Sequence, residues 1–288
     1  MGLGIALPIL LLTVYSCSKD PDPTPPAPVV TKQIKLANSA TLGNYLTDKD
    51  GRTLYYFSND HLGLNACAGG CEAVWPYFFA DSLTAEKLGD TSLRITDFKT
   101  ITAANGKKQL TYKSWPLYYY APAVGGTNTL EAPGQTTGEG VGGIWFVAKT
   151  DYTIMILNAQ LVGNDGKNYK GDYTEGTGRT IYFSDGLGRT LYAFKNDKAN
   201  KNNFTRADFT NNPTWPLYET TKIVAPSTLD KSLFGTIDVF TRKQMTYKGW
   251  PLYYFGADST IRGRNKGVSV PTPGIWPIVY KDIPAATP

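Results

Sequence analysis

Histidine is almost missing from this sequence: His61 is the only one in 288 residues. That excludes a His-rich metal centre and makes any Ser-His-Asp arrangement depend on one side chain. Cysteine is scarce too, with three residues, and charged residues make up only 18%. No apolar run reaches the ~18 residues that a membrane-spanning helix needs. No P-loop, Gly-x-Ser-x-Gly or His-Glu-x-x-His motif occurs. The net charge of +5 is too small and too evenly spread to argue for a nucleic-acid partner. What is present is a 41% hydrophobic, 13% aromatic chain with 29 glycines and 19 prolines. Such a composition can bury a core, and it favours short strands and many turns over a helical bundle.

The N-terminus predicts export. Gly2 to Val14 is apolar and about a dozen residues long, the size of a signal-peptide core. Val14-Tyr15-Ser16-Cys17 follows and looks like the lipobox of a bacterial lipoprotein, in which Cys17 would be acylated and become the new N-terminus. The acyl chains would then be the anchor in the lipid bilayer. Next come Pro21, Pro23, Pro25, Pro26 and Pro28, which favour an extended polyproline stalk rising about 3.1 Å per residue. The expected boundaries are a signal peptide over 1–16 and a Pro-rich stalk over 17–31. With Cys17 lipidated, Cys67 and Cys71 remain as an even pair in an oxidising compartment, which predicts a disulfide. Closing so short a loop contributes roughly 2 kcal/mol in the chain-entropy model, making it a local staple.

Self-similarity is the clearest signal. Gly51-Arg52-Thr53-Leu54-Tyr55-Tyr56-Phe57 recurs as Gly188-Arg189-Thr190-Leu191-Tyr192-Ala193-Phe194. Thr111-Tyr112-Lys113-Ser114-Trp115-Pro116-Leu117-Tyr118 recurs as Thr246-Tyr247-Lys248-Gly249-Trp250-Pro251-Leu252-Tyr253. All six tryptophans pair up: Trp75 with Trp215, Trp115 with Trp250, Trp145 with Trp276. Two β repeats result, over 32–149 and 150–284, the second with an insertion near 162–178. A finer repeat, Leu-Tyr-x-aromatic-x-x-Asp, fits Leu54 to Asp60, Leu191 to Asp197 and Leu252 to Asp258. A fourth copy at Leu117-Tyr118-Tyr119-Tyr120 has Ala123 where the others have the acid.

These β-branched and aromatic stretches, flanked by Gly, Asn and Asp, predict strands of five to seven residues. Asp50-Gly51, Asn105-Gly106, Asp165-Gly166 and Asp185-Gly186 predict turns. Gly143-Ile144-Trp145 and Gly274-Ile275-Trp276 each predict the start of a further strand. Helix is limited to one turn at Cys71 to Trp75 and two at Ser82 to Leu88. The expected fold is all-β, two tandem pseudo-repeats of short antiparallel strands with little helix; periodicity alone does not separate sandwich, barrel and propeller.

These motifs, in this order, resemble the bacterial secreted-repeat lipoproteins defined by a Tyr-x-(Phe/Trp/Tyr)-x-x-Asp pattern. The matching pieces are Tyr55, Phe57 and Asp60, then Cys67, Cys71, Trp75 and Pro76, then Tyr112 to Tyr118, then Gly143-Ile144-Trp145, with a second set from Tyr192 to Trp276. The second half has Asn203-Phe204-Thr205-Arg206 where the first has its cysteines, so thiol chemistry would belong to the first half alone. The resemblance implies fold and export, and no catalytic residue.

Three groups are candidate sites. Asp60, Asp197 and Asp258 either cap turns or bind a ligand such as Ca²⁺, although no Asp-x-Asp-x-Asp-Gly loop is present. Cys67 and Cys71 either form a staple or, with His61 and Glu72, a small redox or metal site. The motif aromatics Tyr55, Phe57, Tyr192, Phe194, Tyr253 and Phe255 either pack between repeats or offer a platform for sugar rings. Arg262-Gly263-Arg264-Asn265-Lys266 is a basic loop that is either simply solvated, the commoner case, or meets anionic polysaccharide or lipid headgroups. The expectation is a lipid-anchored module at the outer membrane or cell surface, binding or structural rather than enzymatic. It would meet envelope polysaccharide or protein, with no cofactor. The rivals are a redox or metal accessory protein using Cys67 and Cys71, and a glycan-active enzyme pairing Asp60 with Glu72.

Overall fold

Each half begins with an antiparallel hairpin that is buried on both faces near one end and open near the other. Ile34–Ser39 pairs antiparallel with Gly43–Asp48, from Ile34 opposite Asp48 to Ser39 opposite Gly43. In the second half Met155–Val162 pairs with Arg179–Ser184, from Met155 opposite Ser184 to Gln160 opposite Arg179. Here the strand runs on, and Leu161 and Val162 pair with Tyr169 and Asn168. The insertion is thus a small hairpin of its own, turning at Asp165-Gly166.

A three-stranded sheet follows in each half: Phe98–Thr102, Lys108–Tyr112 and Trp115–Pro116, then Phe234–Val239, Arg242–Tyr247 and Trp250–Pro251. Phe98 lies opposite Tyr112, and Phe234 opposite Tyr247. The architecture is all-β, built from small antiparallel sheets.

This computed structural model describes residues 1–2 and 30–288. The chain divides into Met1–Val30 and Thr31–Pro288. Cys17 and nearly all of the Pro-rich segment lie outside the described residues. No helix among the described residues is long and apolar enough to cross a membrane.

The motif strands are shorter than five residues. Tyr55–Phe57 is three residues long and pairs with Trp145–Val147. It stops because Ser58–Asp60 turns into a 3₁₀ helix that carries Asp60 into the core. In the second half Tyr192 makes only single bridges, to Tyr253 and Ile278. Pro277 stands where the first half has Phe146, and without an N–H it cannot extend the ladder. The Gly274-Ile275-Trp276 segment therefore starts no full strand. Among the described residues one short α-helix forms, Gly70–Val74, ended at Trp75 before Pro76. Ser82 to Leu88 gives a single 3₁₀ turn, Ala85–Lys87, rather than two helical turns.

The Asp185-Gly186 turn also differs. The left-handed residue there is Gly188 (φ 84°), the partner of Gly51 (φ 87°). Gly186 is needed for a different reason: a Cβ on it would lie 1.9 Å from the Tyr152 carbonyl oxygen.

The two repeats share one core. Tyr56, Trp115 and Phe146 of the first half join the cluster that holds Ile154, Met155 and Leu191 of the second. The neighbouring motif residues Tyr55 and Phe57 point the other way, into a separate cluster with Trp75 and Trp145. This is the strand alternation the sequence implies.

Candidate functional site

The motif residues interlock. Tyr55 and Tyr118 exchange both backbone hydrogen bonds, at 2.9 and 3.0 Å. Each hydroxyl then crosses to the acid of the other motif. Tyr118 donates to Asp60 Oδ2 at 2.5 Å, and Tyr55 donates to Glu131 Oε1 at 2.5 Å. The second half repeats the exchange: Tyr253 donates to Asp197 at 2.6 Å and Tyr192 to Asp258 at 2.5 Å. Each acid also accepts a backbone N–H from the loop that follows it: Ala66 on Asp60, Asn203 on Asp197, Lys266 on Asp258 and Thr137 on Glu131. Every motif tyrosine is thus tied to a loop belonging to its partner motif.

Glu131 is the acid that the fourth copy lacks at Ala123. It arrives later in the sequence, on a longer side chain, and occupies the same position in space. Sequence reading also missed three repeated polar pairs. Asp48 and Asp185 each accept from a tyrosine hydroxyl, Tyr119 and Tyr254, both at 2.9 Å. Gln109 and Gln244 each donate to a leucine carbonyl and accept from Asn65 and Asn202. Aligning the halves position by position would have revealed them.

Burial dominates the electrostatics. It pushes Asp60 and Asp258 up to about 7 and Asp197 up to about 6, against the lowering effect of the tyrosine and backbone donors. Glu131 is raised by burial as well.

The motif aromatics form two four-ring stacks. In one, Trp145 lies between Phe57 at 3.9 Å and Trp75 at 3.8 Å, and Trp75 meets Tyr120 at 4.4 Å. In the other, Trp276 lies between Phe194 at 4.4 Å and Trp215 at 3.6 Å, and Trp215 meets Phe255 at 4.5 Å. Of the six named motif aromatics only Phe194 is partly exposed. Their faces are engaged by one another.

Cys67 and Cys71 form a disulfide, with Cys67 fully buried against the first stack. Phe204, at the equivalent place in the second half, packs edge-on against Trp276 at 4.7 Å. His61 bonds the Asn59 carbonyl through Nδ1 at 3.1 Å, and burial lowers its pKa. Glu72 holds Lys107 and Asn105 near the surface, while Asp60 is engaged with Tyr118 in the core. Among the described residues no group of three or more His, Cys, Asp or Glu side chains is placed to hold a metal.

A groove of about 480 Å³ lies where the two halves meet. His61 comes to it from the first half; Arg179, Arg262, Arg264 and Lys266 come from the second. No carboxylate lines it, and none of these four cations belongs to an ion pair among the described residues. Arg262 is structural. Its guanidinium lies over Trp115 at 4.5 Å and donates to the carbonyls of Ser114, at 3.0 Å, and Lys113, latching the halves. Burial lowers it to about 10. Arg264 and Lys266 are half-exposed and held from behind. Asp258 fixes the Lys266 N–H at 2.8 Å, and buried Asn265 accepts from the Val162 N–H at 2.6 Å. The interlocked acid thus positions the basic loop.

Residues 37–78 match a family model for lipoproteins described as a secreted repeat of unknown function. No curated protein and no solved structure matches the chain. The matched segment holds Tyr55, Phe57, Asp60, both core cysteines and Trp75, the first of the several pieces on which the resemblance rests. Residues 37–78 are thus similar to the secreted repeat of this family, and the family's secreted character accords with export.

Proposed function

We propose that this protein is an exported binding module, lipid-anchored through Cys17 at the cell envelope, whose groove between the halves takes anionic groups of envelope polysaccharide. The observation that carries this reading is the groove itself: about 480 Å³, lined by cations from a fixed loop and by no carboxylate. Unpaired cations in a concave surface focus a positive potential and favour an anionic ligand. The apolar N-terminal run, Cys17 and the polyproline stalk support a body held clear of the lipid.

The test is calorimetric titration with dextran sulfate and neutral dextran at low and physiological salt. Dextran sulfate should bind and weaken with salt, and neutral dextran should not bind. Arg264→Gln with Lys266→Thr should weaken binding at least ~10-fold, about 1.4 kcal/mol. Equal binding of both polymers, or an unchanged affinity in the double variant, would refute the reading.

A further inference from the structure

A second feature lies across Trp115 from the groove. Lys149 is only 5% exposed. Among the described residues its ammonium takes part in no ion pair or hydrogen bond, and its nearest defined partner is the Tyr152 ring, 5.1 Å away. A lysine so buried is ordinarily paired, and the Lys149 ammonium, unpaired, keeps a narrow contact with solvent through which a small anion could reach it. The neighbouring carboxylates are committed elsewhere. Glu139 accepts from the Val147 N–H at 2.7 Å and from Ser227, and Asp151 holds Lys222 at 2.7 Å.

Lys149 lines a narrow chamber at the junction of the halves together with Tyr56, Lys113, Trp115, Tyr152 and Gly186. One polar group of a lining residue is enclosed and unsatisfied: Trp115 Nε1 is buried with no hydrogen-bond partner. Lys113 donates to the Thr150 carbonyl at 2.6 Å, which places a second ammonium in the wall, and no carboxylate is among the lining residues. The open space is about 20 Å³, enough for one water molecule or one monatomic anion.

We propose that this chamber is a halide site, in which a chloride-sized anion neutralises Lys149 and accepts from Trp115 Nε1 at the edge of the first half that faces the second. The site is separate from the groove: its cations are Lys149 and Lys113, and Trp115 stands between it and Arg262.

The full protein is melted in sodium chloride, sodium bromide and sodium gluconate at equal ionic strength, gluconate being too large for the chamber. Both halides should raise Tm by about 2 °C, saturably, relative to gluconate. Lys149→Met should abolish that difference, while Arg264→Gln with Lys266→Thr should keep it. Crystals grown in bromide should show an anomalous peak within hydrogen-bond distance of Lys149 Nζ. Identical melting in halide and gluconate, a halide effect that survives in the Lys149→Met protein, or bromide crystals with no such peak would each overturn the proposal. The crystal measurement decides the matter if the Lys149→Met chain does not fold.

Discussion

The loops 133–137 and 262–266 have one backbone and two chemistries. Gly134 and Gly263 are both left-handed, at φ 78° and 66°, and donate to Gly51 and Gly188, both at 2.9 Å. Thr53 and Thr190 donate to the carbonyls of Gln135, at 2.6 Å, and Arg264, at 2.7 Å. Yet the first loop reads Pro-Gly-Gln-Thr-Thr and the second Arg-Gly-Arg-Asn-Lys. The scaffold constrains the backbone bonds and leaves the outward side chains free to differ, so recognition can change in one half without disturbing the fold of either.

Four measurements show how far the two halves are alike. If the stacks are equivalent, Trp145→Ala and Trp276→Ala should each cost about 3–5 kcal/mol in denaturant unfolding. A mild effect in one half alone would mean that the stacks are not equivalent. Next, Asp60→Ala orphans the Tyr118 hydroxyl and the Ala66 amide, and Glu131→Ala orphans the Tyr55 hydroxyl and the Thr137 amide. Each should cost about 2–3 kcal/mol. A Glu131 variant within ~0.5 kcal/mol of wild type would remove Glu131 from the role given to it here.

Third, reduction of Cys67–Cys71 should lower stability by roughly 2 kcal/mol, and it should do so through the first half, since Phe204 replaces the bridge in the second. Hydrogen exchange resolved by segment would show the loss near residues 65–75; uniform loosening of both halves would contradict it. The fourth measurement is of pH. Asp60, Asp197 and Asp258 hold their protons more tightly when folded, so the stability they supply is complete below about pH 4. It is lost as pH rises through about 6 to 7. His61 works the other way, costing stability as pH falls below its ordinary value of about 6.5. With three acids against one histidine, Tm should fall between pH 5 and pH 8, and Asp258→Asn should flatten that slope. A Tm that rises over this range would show that the acids ionise freely in the folded protein.

Much of the fold was readable because aromatic residues and turn glycines mark their places locally. The tryptophan pairing marked equivalent places in the two halves, and the tyrosine–acid spacing pointed to a fixed structural unit. Strand lengths were overestimated because Tyr55-Tyr56-Phe57 looks like a strand core whatever follows, while the turn into Asp60 and the missing N–H of Pro277 end the ladder. Glu131 was invisible because its role depends on a tyrosine 76 residues away. The groove was half legible. The basic loop stands out in the sequence, but its meeting with His61 and Arg179 depends on how the repeats dock, which no local pattern records.

The exchanged tyrosines impose a parity rule. One motif presents a hydroxyl and an acid that cannot satisfy each other, so a lone copy is left with two open valences. The segment 37–78 that matches the family model contains just one such motif. It cannot close on itself, and the smallest self-sufficient unit is a pair. Chains built on this plan should therefore grow by twos, and one that carries an odd copy should borrow its complement from a neighbour.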